Sequence, residues 1–328
     1  MGAIALASPL PTAGRRARTE SYEALIERLS VQSVKKHFDA YDDIDWDAPR
    51  NEVRADDPRF ELTADTTLGA TQWYQAQPQS VRASIGLHLT ASSMKTGIAF
   101  ENVLQRGLLE FCSTVPNGSV EYRYAMHEVI EEGQHSLMFQ EFINRSGFDP
   151  KGLTGRVARA SRRVVTFGRV FPELFFLFVL GGEEPIDFAQ KRDMKSGRMK
   201  HPLSRRISQI HITEEARHLC FAQQYLERNV PKLPYWKKVI LAVVTPFILS
   251  EMARQMLQPS DAIIERHDIP SSVIREAFTD NTEHRAAVQE SLHSVQQLCK
   301  RLGLIDGPAP YLWRVLRLGD PNRPVLAA

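Results

Sequence analysis

The chain has 328 residues, 43% of them hydrophobic, and its 41 basic and 39 acidic residues leave a net charge of +2. That apolar share excludes a mainly disordered chain, and the charge balance argues against a dedicated nucleic-acid binder. The three cysteines, Cys112, Cys220 and Cys299, are far apart and form no C-x-x-C pair, which argues against a disulfide framework or a cysteine zinc site and fits a reducing cytoplasm.

Residues 1–18 carry their arginines after a short apolar run, the wrong order for a secretory signal, and read as a disordered leader. From residue 21 helical spacing dominates. A first helix is expected over 21–37, followed by an irregular acidic stretch broken by Asp and Pro. Longer helices are expected over 78–114, with a break near Thr90, and then over 119–145, 152–167, 171–193, 203–228, 234–258 and 281–302. PNG at 116–118 and GFDPKG at 147–152 mark turns between them. The organisation is a single helical domain over 19–303 with an irregular tail over 304–328. No stretch approaches the roughly 20 uninterrupted apolar residues of a membrane crossing. The nearest, 175–180 and 239–249, run into Glu183 or contain Pro246 and read as buried helix. No G-x-G-x-x-G or Walker loop is present, so a nucleotide-binding α/β domain is not supported.

Within these helices two E-x-x-H pairs stand out, Glu132/His135 and Glu215/His218, each preceded by a glutamate on an apolar-faced segment, Glu101 and Glu183. His211 lies one turn before Glu215 on the same face. A lone E-x-x-H is weak, because about one match is expected by chance. The order is the informative part. Glu101 to Glu132 spans 31 residues and Glu183 to Glu215 spans 32, each suiting one helical hairpin, and the 51 residues between Glu132 and Glu183 leave room for a crossover. A ferritin-like four-helix bundle with flanking helices uses this plan: one Glu from each of two helices and one E-x-x-H from each of the others. Alone, Glu101 or Glu183 would read as a half-exposed helix charge. Glu131, Glu184 and Glu214 point roughly 100° away from their neighbours and read as solvated or as outer partners.

Electrostatics supports the joint reading. Two carboxylates about 5 Å apart at an effective dielectric of ~20 repel by roughly 3 kcal/mol, so four converging in a core must be protonated or filled with cations. Two divalent ions balance them, and mixed imidazole and carboxylate donors suit iron or manganese.

The set Glu101, Glu132, His135, Glu183, His211, Glu215 and His218 resembles the AurF-type non-haem di-iron N-oxygenases, over roughly residues 90–230. The third histidine, His211, is the most specific element of the likeness. The resemblance implies an all-α fold, two iron ions per chain (or a mixed manganese–iron pair) held by those seven residues, and O2 as co-substrate. It also implies oxygenation of a small aromatic amine to a hydroxylamine or nitro compound. With no flavin or Fe–S motif in the chain, electrons would come from a separate reductase or donor. The family's aminobenzoate enzyme has an Arg five residues and a Tyr eight residues before the first ligand glutamate, and an Asn four residues after the third. Here those places hold Thr96, Ser93 and Asp187, which become the substrate-pocket candidates.

Three other readings remain open on the sequence. One is a di-iron C–H hydroxylase or desaturase for an acyl or carrier-bound substrate. Another is a metal-storage protein, which a single ligand set in a long chain fits poorly. The last is a partner surface on the basic segment 156–169, where Arg156, Arg159 and Arg163 share a helix face. The commoner reading of such a face is the solvated side of a crossover helix. A homodimer is the assembly considered, with neither nucleic acid nor a membrane crossing expected.

Overall fold

Three-to-four residue spacing of apolar side chains becomes helix almost throughout. The computed structural model describes residues 20–153, 155–307 and 309–319, and among these there are helices and no strand. The expected leader, 1–18, lies outside the described residues. Helix α1 (Tyr22–Lys35) starts at Ser21, whose side chain accepts from the Ala24 N–H. After two single-turn 3-10 segments and the short α2 (Gln72–Gln75), α3 (Gln79–Cys112) runs unbroken for 34 residues, so the expected break near Thr90 does not occur. The Thr90 hydroxyl instead donates to the Gly86 carbonyl on the preceding turn, which leaves the helix ladder intact. α4 (Val120–Ser146) returns and ends at Gly147 with φ of +72°, a left-handed stop in the expected GFDPKG turn. α5 (Gly155–Val170) is the crossover. α6 (Pro172–Ser196) and α7 (Pro202–Asn229) form the second hairpin, each opening on a proline at its first turn.

Four helices, α3, α4, α7 and α6, close into a ring of neighbours, which is the expected four-helix bundle. α1 covers α4 and α7, α5 packs against α3 and α6, and α8 (Tyr235–Leu257) lies against α6. Residues 174–180 of α6 are buried on every side, as an all-apolar run requires. Among them Phe176 packs edge to face with Phe111 and Phe221, and Phe111 does the same with Phe221 and Tyr225. Each buried ring contributes roughly 1.5–3 kcal/mol. Two close approaches fix the helix heights. A Cβ on Gly182 would fall 2.0 Å from Phe100 Cζ, and one on Gly168 would fall 2.0 Å from the Gly107 carbonyl oxygen. The Phe100 ring therefore sits in a notch in α6, and the backbone of α5 rests on that of α3.

Several expectations need correction. Residues 239–249 were expected to be buried. Instead α8 buries Leu241, Thr245, Leu249, Met252 and Ala253 and leaves Trp236 and Phe247 exposed, so it covers the bundle rather than crossing its core. By length and composition alone, Tyr235–Arg266 is the one stretch among the described residues that would pass for a membrane crossing; it continues through a break into α9 (Asp261–Arg266). After the one-turn α10 (Ser271–Ile274), the helix expected over 281–302 is two, α11 (Thr282–Ser291) and α12 (His293–Arg301), hinged at buried Leu292. The tail is not wholly irregular: α13 (Ala309–Val315) inserts Trp313 into the main core. In the basic segment Arg159 and Arg163 are exposed, as on a solvated crossover face.

Candidate metal centre

All seven sequence-predicted residues converge where the four helices meet: Glu101 from α3, Glu132 and His135 from α4, Glu183 from α6, and His211, Glu215 and His218 from α7. Each is at most 1% exposed. Overlapping triplets such as Glu101–His135–His211, Glu132–His135–Glu215 and Glu183–His211–Glu215 each bring one donor atom per residue within 4.8 Å of the others.

The two E-x-x-H pairs are arranged as mirror partners. His135 Nδ1 lies 3.0 Å from Glu132 and 3.5 Å from Glu215, and His218 Nδ1 lies 2.9 Å from Glu132 and 3.1 Å from Glu215. The outer nitrogens are held across the bundle: His135 Nε2 donates to Glu214 at 3.0 Å, and His218 Nε2 donates to Glu131 at 2.7 Å. Arg217 Nη2 then donates to Glu131 at 2.8 Å and Glu214 at 3.4 Å. Glu131 and Glu214 are buried, so of their two expected readings the solvated one fails. Such outer carboxylates fix the tautomer and aim of a metal-binding imidazole. His211 turns the other way. Its Nδ1 donates to Gln190 Oε1 at 3.0 Å, and its Nε2 faces the cluster, 3.7 Å from Glu101 and 3.8 Å from Glu215.

Charge is concentrated here beyond what protons alone satisfy comfortably. Burial, and then the charges of Glu132 and its neighbours, push the Glu101 carboxyl well above its ordinary range; burial and the Glu215 and Glu132 charges do the same to Glu183. Burial also opposes ionisation of Glu132, yet His218 and His135 beside it hold it well below. Burial disfavours the charged ring of His135, but Glu132 and Glu214 push it up to about 10, while burial pulls His211 down to about 4. Buried oxygens of Glu101, Glu183 and Glu215 have no hydrogen-bond partner. Unpartnered buried carboxylate oxygens around inward-facing ring nitrogens fit bound divalent cations, and the donor set of four carboxylates and three imidazoles fits iron or manganese.

This pattern carries a pH signature. A cation bound at His135 Nδ1 would displace the proton shared with Glu132. Below the raised value near 10 the ring keeps that proton, so apparent metal affinity rises with pH across the neutral range, by up to about tenfold per unit for each proton displaced. Calorimetric titration of the metal-free protein with manganese(II), in buffers of different ionisation heat, should show proton release. Affinity independent of pH between 6 and 8 would contradict the arrangement.

A cleft of about 820 Å³ reaches the cluster on one side, where Glu101, Glu183 and His211 line it. Ser93 and Thr96 line it too, together with Phe100, Phe139 and Gln190. Asp187 does not. One turn past Glu183 on α6, it is rotated about 40° further round the helix, pairs with Lys191 at 2.6 Å, and lines a separate pocket with Glu184 and Gln223. Sequence reasoning missed two features. Gln190 carried no motif. Glu128 was concealed by its position one turn before Glu132, where an acidic residue reads as helix surface. The structure buries it at 1% exposure, with burial pushing its carboxyl up to about 8.

A family model described as p-aminobenzoate N-oxygenase AurF matches residues 19–303. An uncharacterised protein of Mycobacterium tuberculosis (strain CDC 1551 / Oshkosh) is 38% identical over 303 residues, which cover 92% of this chain and 89% of that one. An uncharacterised protein of Mycobacterium bovis is 37% identical over the same shares. No solved structure matches the chain significantly.

Proposed function

The chain belongs to the p-aminobenzoate N-oxygenase family, and from that premise we propose that it is a di-iron oxygenase that uses O2 to oxygenate a small aromatic amine at nitrogen. The observation that carries this reading is the convergence of four glutamates and three histidines beside a cleft that Glu101, Glu183 and His211 line. Glu101, Glu132, Glu183 and Glu215, with His135, His218 and His211, would hold the two ions. Two iron ions there would supply the redox chemistry that activates O2. The chain's own part is geometric. Glu131 and Glu214 hold the Nε2 protons of His218 and His135, so each Nδ1 points inward. Gln190 does the same for His211 with the opposite nitrogen. Phe100 and Phe139 on the cleft wall would help to keep water from the reacting side. Electrons would come from an external donor, and the three unpaired cysteines suit a reducing cytoplasm.

Substrate preference follows from the wall. Ser93 and Thr96 offer hydroxyls where an Arg and a Tyr would anchor a benzoate. The cations that line the cleft are solvent-side or engaged: Lys151 is exposed, Arg192 lies over Phe188, and Arg254 pairs with Glu251 at 2.6 Å. A carboxylate carried down to the metals would lose several kcal/mol of hydration without a paired donor. Iron-loaded, reduced protein given O2 and a panel of aryl amines should yield hydroxylamine and nitro products. Neutral or hydroxylated anilines should react at least about tenfold faster than p-aminobenzoate, the cost of only ~1.4 kcal/mol. Efficient conversion of p-aminobenzoate would refute the preference. If no amine reacts and an acyl chain is hydroxylated or desaturated instead, C–H oxidation takes the place of N-oxygenation.

A further inference from the structure

The two halves of the metal cluster are related by an approximate twofold axis, and the symmetry breaks at one place. On α4 the inward positions are Glu128, Glu131, Glu132 and His135; on α7, at the same spacings, they are His211, Glu214, Glu215 and His218. The helices run antiparallel: His135 meets Glu214 while His218 meets Glu131. The operation exchanges Glu101 with Glu183 and puts Glu128 in the place of His211. The positions match in space. His211 lies beside His135, ring centroids 4.8 Å apart, and Glu128 brings a carboxylate oxygen within 4.8 Å of donors on His218 and Glu132.

Glu128 is fully enclosed, and neither of its carboxylate oxygens has a hydrogen-bond partner. A buried neutral acid would ordinarily find at least one partner for its hydroxyl or carbonyl, and a buried anion needs a counter-charge. Besides the His218 ring, a cation held by Glu132 and His218 would supply that counter-charge and give both oxygens a partner. The cleft that reaches Glu101, Glu183 and His211 does not extend to Glu128, so this side of the cluster is closed.

We propose that Glu128 is an eighth protein donor, binding the metal ion on the His218 side of the centre opposite the cleft. The inference rests on the di-metal reading above. It makes the two ends of the centre chemically unequal: the end away from the cleft carries an extra anionic donor, and the cleft end carries the neutral His211. Open coordination positions are then confined to the side that substrate reaches.

The test is a titration of the metal-free full chain with cobalt(II), followed by calorimetry and by the visible spectrum of the bound ions. Wild type should take up two ions. Glu128→Gln keeps the shape and removes the anionic donor. It should weaken one of the two binding steps by at least tenfold and alter the absorption contributed by one equivalent of cobalt. Glu128→His, which copies the counterpart on α7, should recover two-ion binding with a changed spectrum, and it decides the matter if Glu128→Gln fails to fold. Glu184→Gln, a buried change on α6 outside the cluster, should leave both steps as in wild type. Two-ion affinities and spectra in Glu128→Gln and Glu128→His that match wild type would overturn the assignment while leaving the di-metal centre standing. A wild-type chain that binds no cobalt, iron or manganese would overturn both.

Discussion

Glu132→Ala should leave a folded, helical protein that holds less than one metal ion per chain and has no oxygenase activity. Glu132 lies between the two inward histidine nitrogens, 3.0 Å from His135 and 2.9 Å from His218. It also belongs to three of the candidate donor triplets. Under the di-metal reading, alanine would therefore remove a donor that stands close to both inward histidines. Loss of an outer partner alone costs about 10–100-fold in metal affinity, so loss of a ligand itself should cost more. The fold should survive because the aromatic core of α3, α6 and α7 lies elsewhere along the bundle. Metal analysis after loading, with far-UV circular dichroism as the folding control, measures both halves. Normal metal content with wild-type turnover would remove Glu132 from the site.

Arg217→Ala should be the most destabilising single change in the neighbourhood. The guanidinium is buried and bonded to both Glu131 and Glu214, the two carboxylates that aim the histidines. Burial opposes the charge on Glu131, and His218 with Arg217 outweighs it, holding the carboxyl below its usual range. Without Arg217 two buried carboxylates face each other with one fewer counter-charge. Removing one partner of a buried ion pair costs about 3–5 kcal/mol. Thermal melts should fall by several degrees, and metal affinity should drop about 10–100-fold as the histidines lose their hold. Arg217→Lys restores the charge on a shorter, non-planar head group whose ammonium must reach both carboxylates from a different position, so it should recover stability in part. A melting point and metal affinity unchanged in Arg217→Ala would show that Glu131 and Glu214 need no bridging cation.

The helices and the seven converging residues were legible because both are periodic. Ligands that must share a face recur at three or four residues, and Glu101, Glu132, Glu183 and Glu215 announce themselves by repeating the same hairpin spacing. What the pattern could not carry is anything that depends on which residue lies across the bundle. Glu131 and Glu214 look like solvated neighbours until the helices cross and each takes the other's histidine. Glu128 is one turn from a ligand on an otherwise mixed helix, and only packing distinguishes burial from exposure there. Asp187 was misread for the converse reason. Four residues along a helix preserve a face only to within 40°, and α6 spends that angle turning Asp187 toward Lys191. The break at Leu292 has no Gly or Pro to announce it, and the Gly and Pro around 307–310 read as irregular tail rather than as a helix start; both follow from docking Val295, Leu298 and Trp313 onto the core.

The ring-in-notch contact between Phe100 and Gly182 has consequences for how such a protein can diversify. Each partner stands one residue before a carboxylate of the cluster, Glu101 and Glu183, so the notch sets the height of one against the other. Any side chain at position 182 would push the two helices out of step and open the gap the carboxylates span. Earlier on the same α3, Ser93 and Thr96 line the cleft. Exchange of these two side chains should disturb the donors less than any change at Gly182. One helix thus carries a region freer to drift toward new substrates and, a few residues on, a region that tolerates almost no drift. New specificities in descendants of this chain should therefore arise by change at Ser93 and Thr96, with Gly182 left as it is.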